Sequence, residues 1–190
     1  MKCSILAGTL AAALALPLFG ADAYVIDSDH SSPTFQVGHM GFSSIGGRFN
    51  KMQGKVTLDR AAKSGSISVD IDTTSVDTGL ARRDNMLKGE NWLNTEKYPT
   101  MSFKSSALKF NGDQVTGADG ELTLNGVTKP VSLNIESLRC GPNPFNKREM
   151  CGATASTTIK RTDFGVKGSP GSVTDEVRIT INIEAYKESA

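Results

Sequence analysis

Cysteine, histidine and tryptophan are scarce in this sequence, and charge is nearly balanced. The 190 residues hold three Cys, two His and one Trp, with a net charge of +1. Each scarcity excludes something. Cys3, Cys140 and Cys151 are too few for a four-cysteine zinc site. His30 and His39 are the sole imidazoles, nine positions apart, so no metal site is expected. No Lys/Arg cluster marks a surface that tracks phosphates, which argues against nucleic acid as a partner. The pairs Arg82-Arg83 and Lys160-Arg161 read as solvated charges. A nucleophile elbow, paired catalytic carboxylates and a phosphate-cradling glycine loop are all missing. His39 with Asp84 or Asp163 as acid/base partners is too little to build an enzyme on. Asp84 reads better as a solvated or salt-bridged face and Asp163 as the brace of a turn. No catalytic residue and no cofactor are therefore assigned.

Long hydrophobic runs are also missing, save one at the amino end. Lys2 precedes an almost uncharged stretch from Ile5 to Phe19, broken by Pro17, and Ala21-Asp22-Ala23 follows. A cationic start, an apolar stretch of about 7–15 residues and an Ala-x-Ala ending compose a secretory signal. The run is short of the roughly 20 residues a membrane span needs. Residues 1–23 are thus expected to be a cleaved signal peptide, and residues 24–190 a single exported domain. Cleavage after Ala23 leaves Tyr24 first, where a lipoprotein would carry Cys. The expected location is the periplasm, without stable membrane insertion.

Export puts Cys140 and Cys151 in an oxidising compartment, where an even pair at short spacing is expected to be a disulfide. Turn formers Gly141, Pro142, Pro144 and Asn146 lie between them. A metal pair lacks further ligands, and a redox pair usually has two intervening residues.

What is abundant is period-two alternation, the mark of strands with one buried face. Val177, Ile179, Ile181 and Ile183 alternate with Arg178, Thr180, Asn182 and Glu184. Ile67, Val69 and Ile71 alternate with polar neighbours, as do Val131, Leu133 and Ile135. Phe35, Val37 and His39, Met52 through Leu58, Met101 with Phe103, and Leu122 with Leu124 are shorter instances. Gly46-Gly47, Lys63-Ser64-Gly65, Asn111-Gly112-Asp113 and Asn125-Gly126 are hairpin candidates. The exception is Thr78–Gly89, where Leu80, Met86 and Leu87 fall at helical spacing. Asp77 or Thr78 would cap that helix and Gly89 would stop it. The pattern points to an antiparallel barrel or sandwich. An eight-stranded barrel either fills with side chains or holds one small ligand, and the alternation leaves both open.

Together the quoted stretches resemble a known family, the YceI-like periplasmic lipid- or polyisoprenoid-binding proteins. The resemblance is carried by Tyr24 to Asp27 with Asp29-His30-Ser31, Phe35 to Ser43, Glu96 to Thr100 with Phe103-Lys104-Ser105, Gly126 to Val131, and Arg161 to Gly165. It implies an all-β fold: an eight-stranded antiparallel lipocalin-like barrel with one short helix, enclosing an apolar tunnel for a polyisoprenoid, an isoprenoid quinone or a fatty-acid derivative. Cys140 and Cys151 depart from the common pattern and look like an added staple.

On that basis the tunnel lining is expected to include Phe35, Val37, His39, Phe42, Phe49 and Met52. Ile67, Val69, Ile71, Phe103, Leu133 and Ile181 complete the strands' share, and Trp92 stands at the mouth. The implied role is a non-enzymatic carrier whose partner is a long-chain lipid, with a homodimer if a mouth or open edge is covered. The alternative is a packed barrel that docks a stress-response or membrane redox protein and carries no lipid.

Overall fold

A computed structural model describes residues 20–189. The expected signal peptide falls mainly on residues 1–19, outside the described residues. Eleven strands follow in order: β1 (Asp22–Ile26), β2 (Ser32–His39), β3 (Ser43–Phe49), β4 (Met52–Asp59), β5 (Ser64–Asp72) and β6 (Val76–Asp77), then β7 (Thr100–Asn111), β8 (Gln114–Leu124), β9 (Val127–Pro142), β10 (Glu149–Lys160) and β11 (Val173–Lys187). Neighbours pair in the order β1-β4-β5-β7-β8-β9-β10-β11, and β11 pairs back onto β1. Eight strands therefore close a ring. β2, β3 and β6 prolong β1, β4 and β5 past short breaks, so the described residues form an eight-stranded antiparallel barrel with one α-helix, as expected. Closure leaves no full-length open edge on which a homodimer would pair.

The alternation explains the ring. Val177, Ile179, Ile181 and Ile183 pack against the core, while Arg178 and Asn182 between them are exposed. β1 begins at Asp22, two residues before the expected cleavage point. Asp22 pairs with Lys187 at 2.7 Å, so cleavage after Ala23 would remove that ion pair.

The two ends of the barrel differ. The base is packed solid with Tyr24, Ile26, Leu58, Val115, Ala118 and Ala185. At the opposite, upper end Asn125 and Gly126 both take positive φ and join Leu124 to Val127 in a two-residue hairpin, as expected. Gly46-Gly47 is a correction. These residues lie inside β3 opposite Gln36 and Phe35, and the turn falls instead at Met40-Gly41. A Cβ on Gly47 would strike the Phe35 ring and Thr78, so the glycine serves a close approach of elements.

Cys140 and Cys151 face each other across β9 and β10 and form the expected disulfide. It closes the base loop, where Asn143 donates to the Tyr186 hydroxyl at 2.8 Å and the Arg148 guanidinium stacks 4.5 Å from the Tyr186 ring centre. Replacing both cysteines by Ser is expected to lower stability by roughly 2–4 kcal/mol. Urea unfolding checks this, and an unchanged midpoint would show that β9–β10 pairing alone secures the loop.

Candidate ligand cavity at the upper end

The wall of the barrel is incomplete on one side. β5 pairs with β7 only as far as Asp72 opposite Thr100, and β6 above it pairs with β3 alone. Helix α1 (Ala81–Lys88) and residues 89–99 occupy the wedge. The helix matches the expected segment, but its start is built differently. Leu80 takes the capping position without a side-chain bond, and Asp84 reaches back to accept from the Thr78 amide at 2.8 Å and hydroxyl at 2.6 Å. Arg83 donates to the same hydroxyl and to the Thr78 carbonyl, each at 2.9 Å. Asp84 and Arg83 thus anchor the helix, where the sequence suggested a solvated or salt-bridged face for Asp84 and a solvated charge for Arg83.

The segment after α1 is stitched to the loop that follows β10. The Lys167 and Gly168 amides donate to the Asn91 carbonyl at 3.0 and 2.8 Å. Trp92 lies so closely over Gly168 that any Cβ there would collide with the indole. On the far wall β9 and β10 stop pairing above Asn134 and Ser156. A short 3-10 turn, Arg161–Phe164, closes that gap by burying Phe164 and then Val166. Gly165 adopts positive φ and Asn125 donates to the Phe164 carbonyl at 3.2 Å. Asp163 lies in that turn but is exposed and makes no side-chain hydrogen bond among the described residues; the carboxylate that braces the turn is Asp175, which accepts from the Thr162 amide and hydroxyl.

Inside this frame lies an apolar cavity of about 580 Å³, within the roughly 300–1,000 Å³ range of small-molecule sites. Phe35, Val37, His39, Phe49, Ile71, Trp92, Phe103, Leu133 and Ile181 line it. Phe35 and Phe49 pack with ring centres 5.7 Å apart. The other four expected residues do not line it. Phe42 sits in the β2–β3 turn, 94% exposed, because the hairpin reverses before it. Met52 and Val69 are buried in the packed core, and Ile67 packs against it. Alternation sets the face of the sheet a residue occupies and is silent on its height in the barrel. Leu122, Leu124, Val131, Val177 and Ile179 also line the cavity; their alternation was visible, but their height was not.

The other surprise is polar. Arg161, read as a solvated charge, is 6% exposed and lines the cavity. Its Nε donates to the Thr174 carbonyl at 3.0 Å, and one Nη to the Val166 and Gly168 carbonyls at 3.0 and 2.9 Å. Its guanidinium carbon lies 5.8 Å from the Trp92 ring centre. The sequence signal for this was the resemblance of Arg161 to Gly165 to a family stretch, which marked the place without a role. His39 borders the cavity with no hydrogen-bond partner for its ring among the described residues, so the acid/base arrangement with Asp84 or Asp163 is not assembled.

Asp27, His30 and Glu184 form the one metal-type grouping among the described residues, with ligand atoms within 4.8 Å of one another. It belongs to the break between β1 and β2, off the cavity. There the Asp27 amide and the Ser31 hydroxyl donate to the Glu184 carbonyl at 2.9 and 3.1 Å, fastening the break to β11. His30 Nδ1 meets Asp27 Oδ2 at 2.8 Å.

A closed eight-stranded barrel, packed at its base and hollow at one end, is the class of protein defined here. The chain belongs to the YceI-like family, whose domain model matches residues 24–185. A UPF0312 protein of Shewanella denitrificans is 38% identical over 192 residues, covering 99% of this chain and all of that protein. Among solved structures, a Campylobacter jejuni YCEI protein superposes with a TM-score of 0.68 at 26% identity, covering 80% of this chain and 90% of that one. Burkholderia cenocepacia BcnA shares the fold with a TM-score of 0.69 at 24% identity over 84% of this chain and 98% of that one. A Saccharophagus degradans structure described as a polyisoprenoid binding domain does so at 0.63 and 18% identity, over 87% and 98%.

The Asp27–His30 pair makes a pH prediction. The bond to the Asp27 carboxylate raises the His30 pKa above its ordinary 6.5. The bond from His30 lowers that of Asp27 below 3.8. The His30 contribution to stability is full below pH 6.5 and lost as pH rises through its raised value. The Asp27 contribution is full above pH 3.8 and lost as pH falls through its lowered value. An NMR titration is expected to place His30 above 6.5, and Asp27→Asn to return it to the ordinary range; no change on substitution would contradict the pairing.

Proposed function

We propose that this protein is a non-catalytic periplasmic carrier of one long-chain amphiphile, held tail-down in the cavity. The observation that carries the reading is a hollow, almost wholly apolar upper barrel above a solid base. Burying each methylene of a tail contributes about 0.8 kcal/mol, so a long chain binds well with few polar contacts. A polyisoprenoid, an isoprenoid quinone or a fatty-acid derivative meets that requirement. The shared fold with a domain described as polyisoprenoid binding supports the first of these. The disulfide supports export to an oxidising compartment. No helix among the described residues is long and apolar enough to cross a membrane.

The rival reading, a packed barrel that docks a protein, has less behind it. Its barrel would be full, and its surface would offer a contiguous apolar patch. Phe42 and Phe145, at 94% and 92% exposure the most open large apolar side chains, stand in turns at opposite ends of the barrel.

Val131 is half-buried on the cavity wall, so Val131→Trp is expected to fill the space while the barrel still folds. Native mass spectrometry of the protein with a long-chain prenol is expected to show saturable one-to-one binding. The Trp variant should bind at least about tenfold more weakly, the loss of a little under two buried methylenes. Absence of saturable binding to the native protein, or equal binding by the folded variant, would overturn the proposal.

A further inference from the structure

We infer that the carried amphiphile has an anionic headgroup, a phosphate or carboxylate oxyanion, received at the mouth by Arg161 with Arg82 at the rim. This deepens the carrier reading and rests on it. The charged side chains bordering the cavity are Arg82, Arg83, Arg161 and, when protonated, His39; no Asp or Glu borders it. Arg83 and Arg161 also hold the fold together, but neither role requires that the buried charge of Arg161 go without a counter-ion, which is costly unless a ligand pairs it.

Arg161 is the informative member. It is nine-tenths buried, and no carboxylate lies within ion-pair distance of it among the described residues. Three of its five N–H groups are spent on the carbonyls of Thr174, Val166 and Gly168. The second terminal nitrogen, Nη2, makes no hydrogen bond among the described residues. The side chain is therefore held rigidly by neutral dipoles, with its full charge intact and two donors left over. Asp175 is near enough to have its pKa lowered by that charge, but less than by its bonds from Thr162, whose amide and hydroxyl donate to Asp175 Oδ1 at 3.0 and 2.8 Å. A planar pair of free N–H donors in an apolar, tryptophan-walled site is the arrangement that favours a headgroup oxyanion over a hydroxyl or a quinone carbonyl.

Arg82 and Arg83 differ in what they offer. Arg83 is engaged with Thr78 and supplies charge without free geometry. Arg82 is exposed on α1, makes no side-chain bond among the described residues, and lines the opening. It is placed to follow the headgroup as solvent is excluded.

The test compares probes with matched tails by calorimetry in low salt: geranylgeranyl phosphate against geranylgeraniol, and palmitate against hexadecanol. At least one oxyanion of the two pairs is expected to bind the native protein about tenfold or more tighter than its neutral partner, the scale of a charged hydrogen bond in a dry site. Which pair shows the gap tells phosphate from carboxylate. Arg82→Gln is expected to narrow the gap by about two- to fivefold. Arg161→Gln is expected to abolish it, bringing oxyanion and alcohol of each pair to equal affinity. Should Arg161→Gln fail to fold, the native ratio still decides. Equal affinity for oxyanion and alcohol in both pairs would overturn this inference and leave the carrier reading standing. Binding of none of the four probes would overturn both.

Discussion

β11 is shared along one edge by two strands: Ala185 to Lys187 pair with β1, and Val173 to Asn182 pair with β2. That sharing closes the ring, and the cavity depends on it. A closed sheet has no edge to protect and can enclose space that water does not cross. The clamp at the β1–β2 break is the local device that makes the sharing work. Ser31, buried, accepts from the Glu184 amide and donates to its carbonyl, so the strand changes course without leaving β11. Asp27 and His30 complete the same corner.

Closure is tight at the base and loose at the top, and function follows that gradient. Below, side chains from opposite walls meet and the disulfide fixes the last turn. Above, two gaps open in the wall, one between β6 and β7 and one between β9 and β10. The first is roofed by α1 and Trp92, the second by Phe164 and Val166. The roof pieces are joined to each other, Asn91 to Lys167 and Gly168, so the mouth is a built frame and not a frayed end. Arg161 is central to that frame, because three carbonyls of its loops converge on one guanidinium. Its charge is consequently both a structural pin and the polar feature of an apolar chamber.

Much of the fold was legible in the sequence. Period-two alternation identified the strands, Asn125-Gly126 announced its hairpin, and the Leu80–Leu87 spacing announced the helix. These signals are local, and the barrel obeys them. What alternation cannot carry is axial position: Val69 and Ile71 share one face of β5, yet Ile71, two residues nearer the upper end, borders the cavity and Val69 does not. Gly46-Gly47 misled because glycine serves close packing as readily as turning. Arg161 misled because a charged pair beside a strand end is usually solvated, and burial here comes from carbonyls contributed by residues 166, 168 and 174, which only the folded loop brings together.

The central claim is that the upper barrel, and not the outer surface, receives a long apolar chain. Intermolecular NOEs between an alkyl-chain probe and methyl-labelled protein test it most directly. The account predicts NOEs to the methyls of Leu133, Ile179 and Ile181 and none to surface methyls such as those of the half-exposed Val25. NOEs confined to surface residues, or their absence at saturating probe, would contradict it.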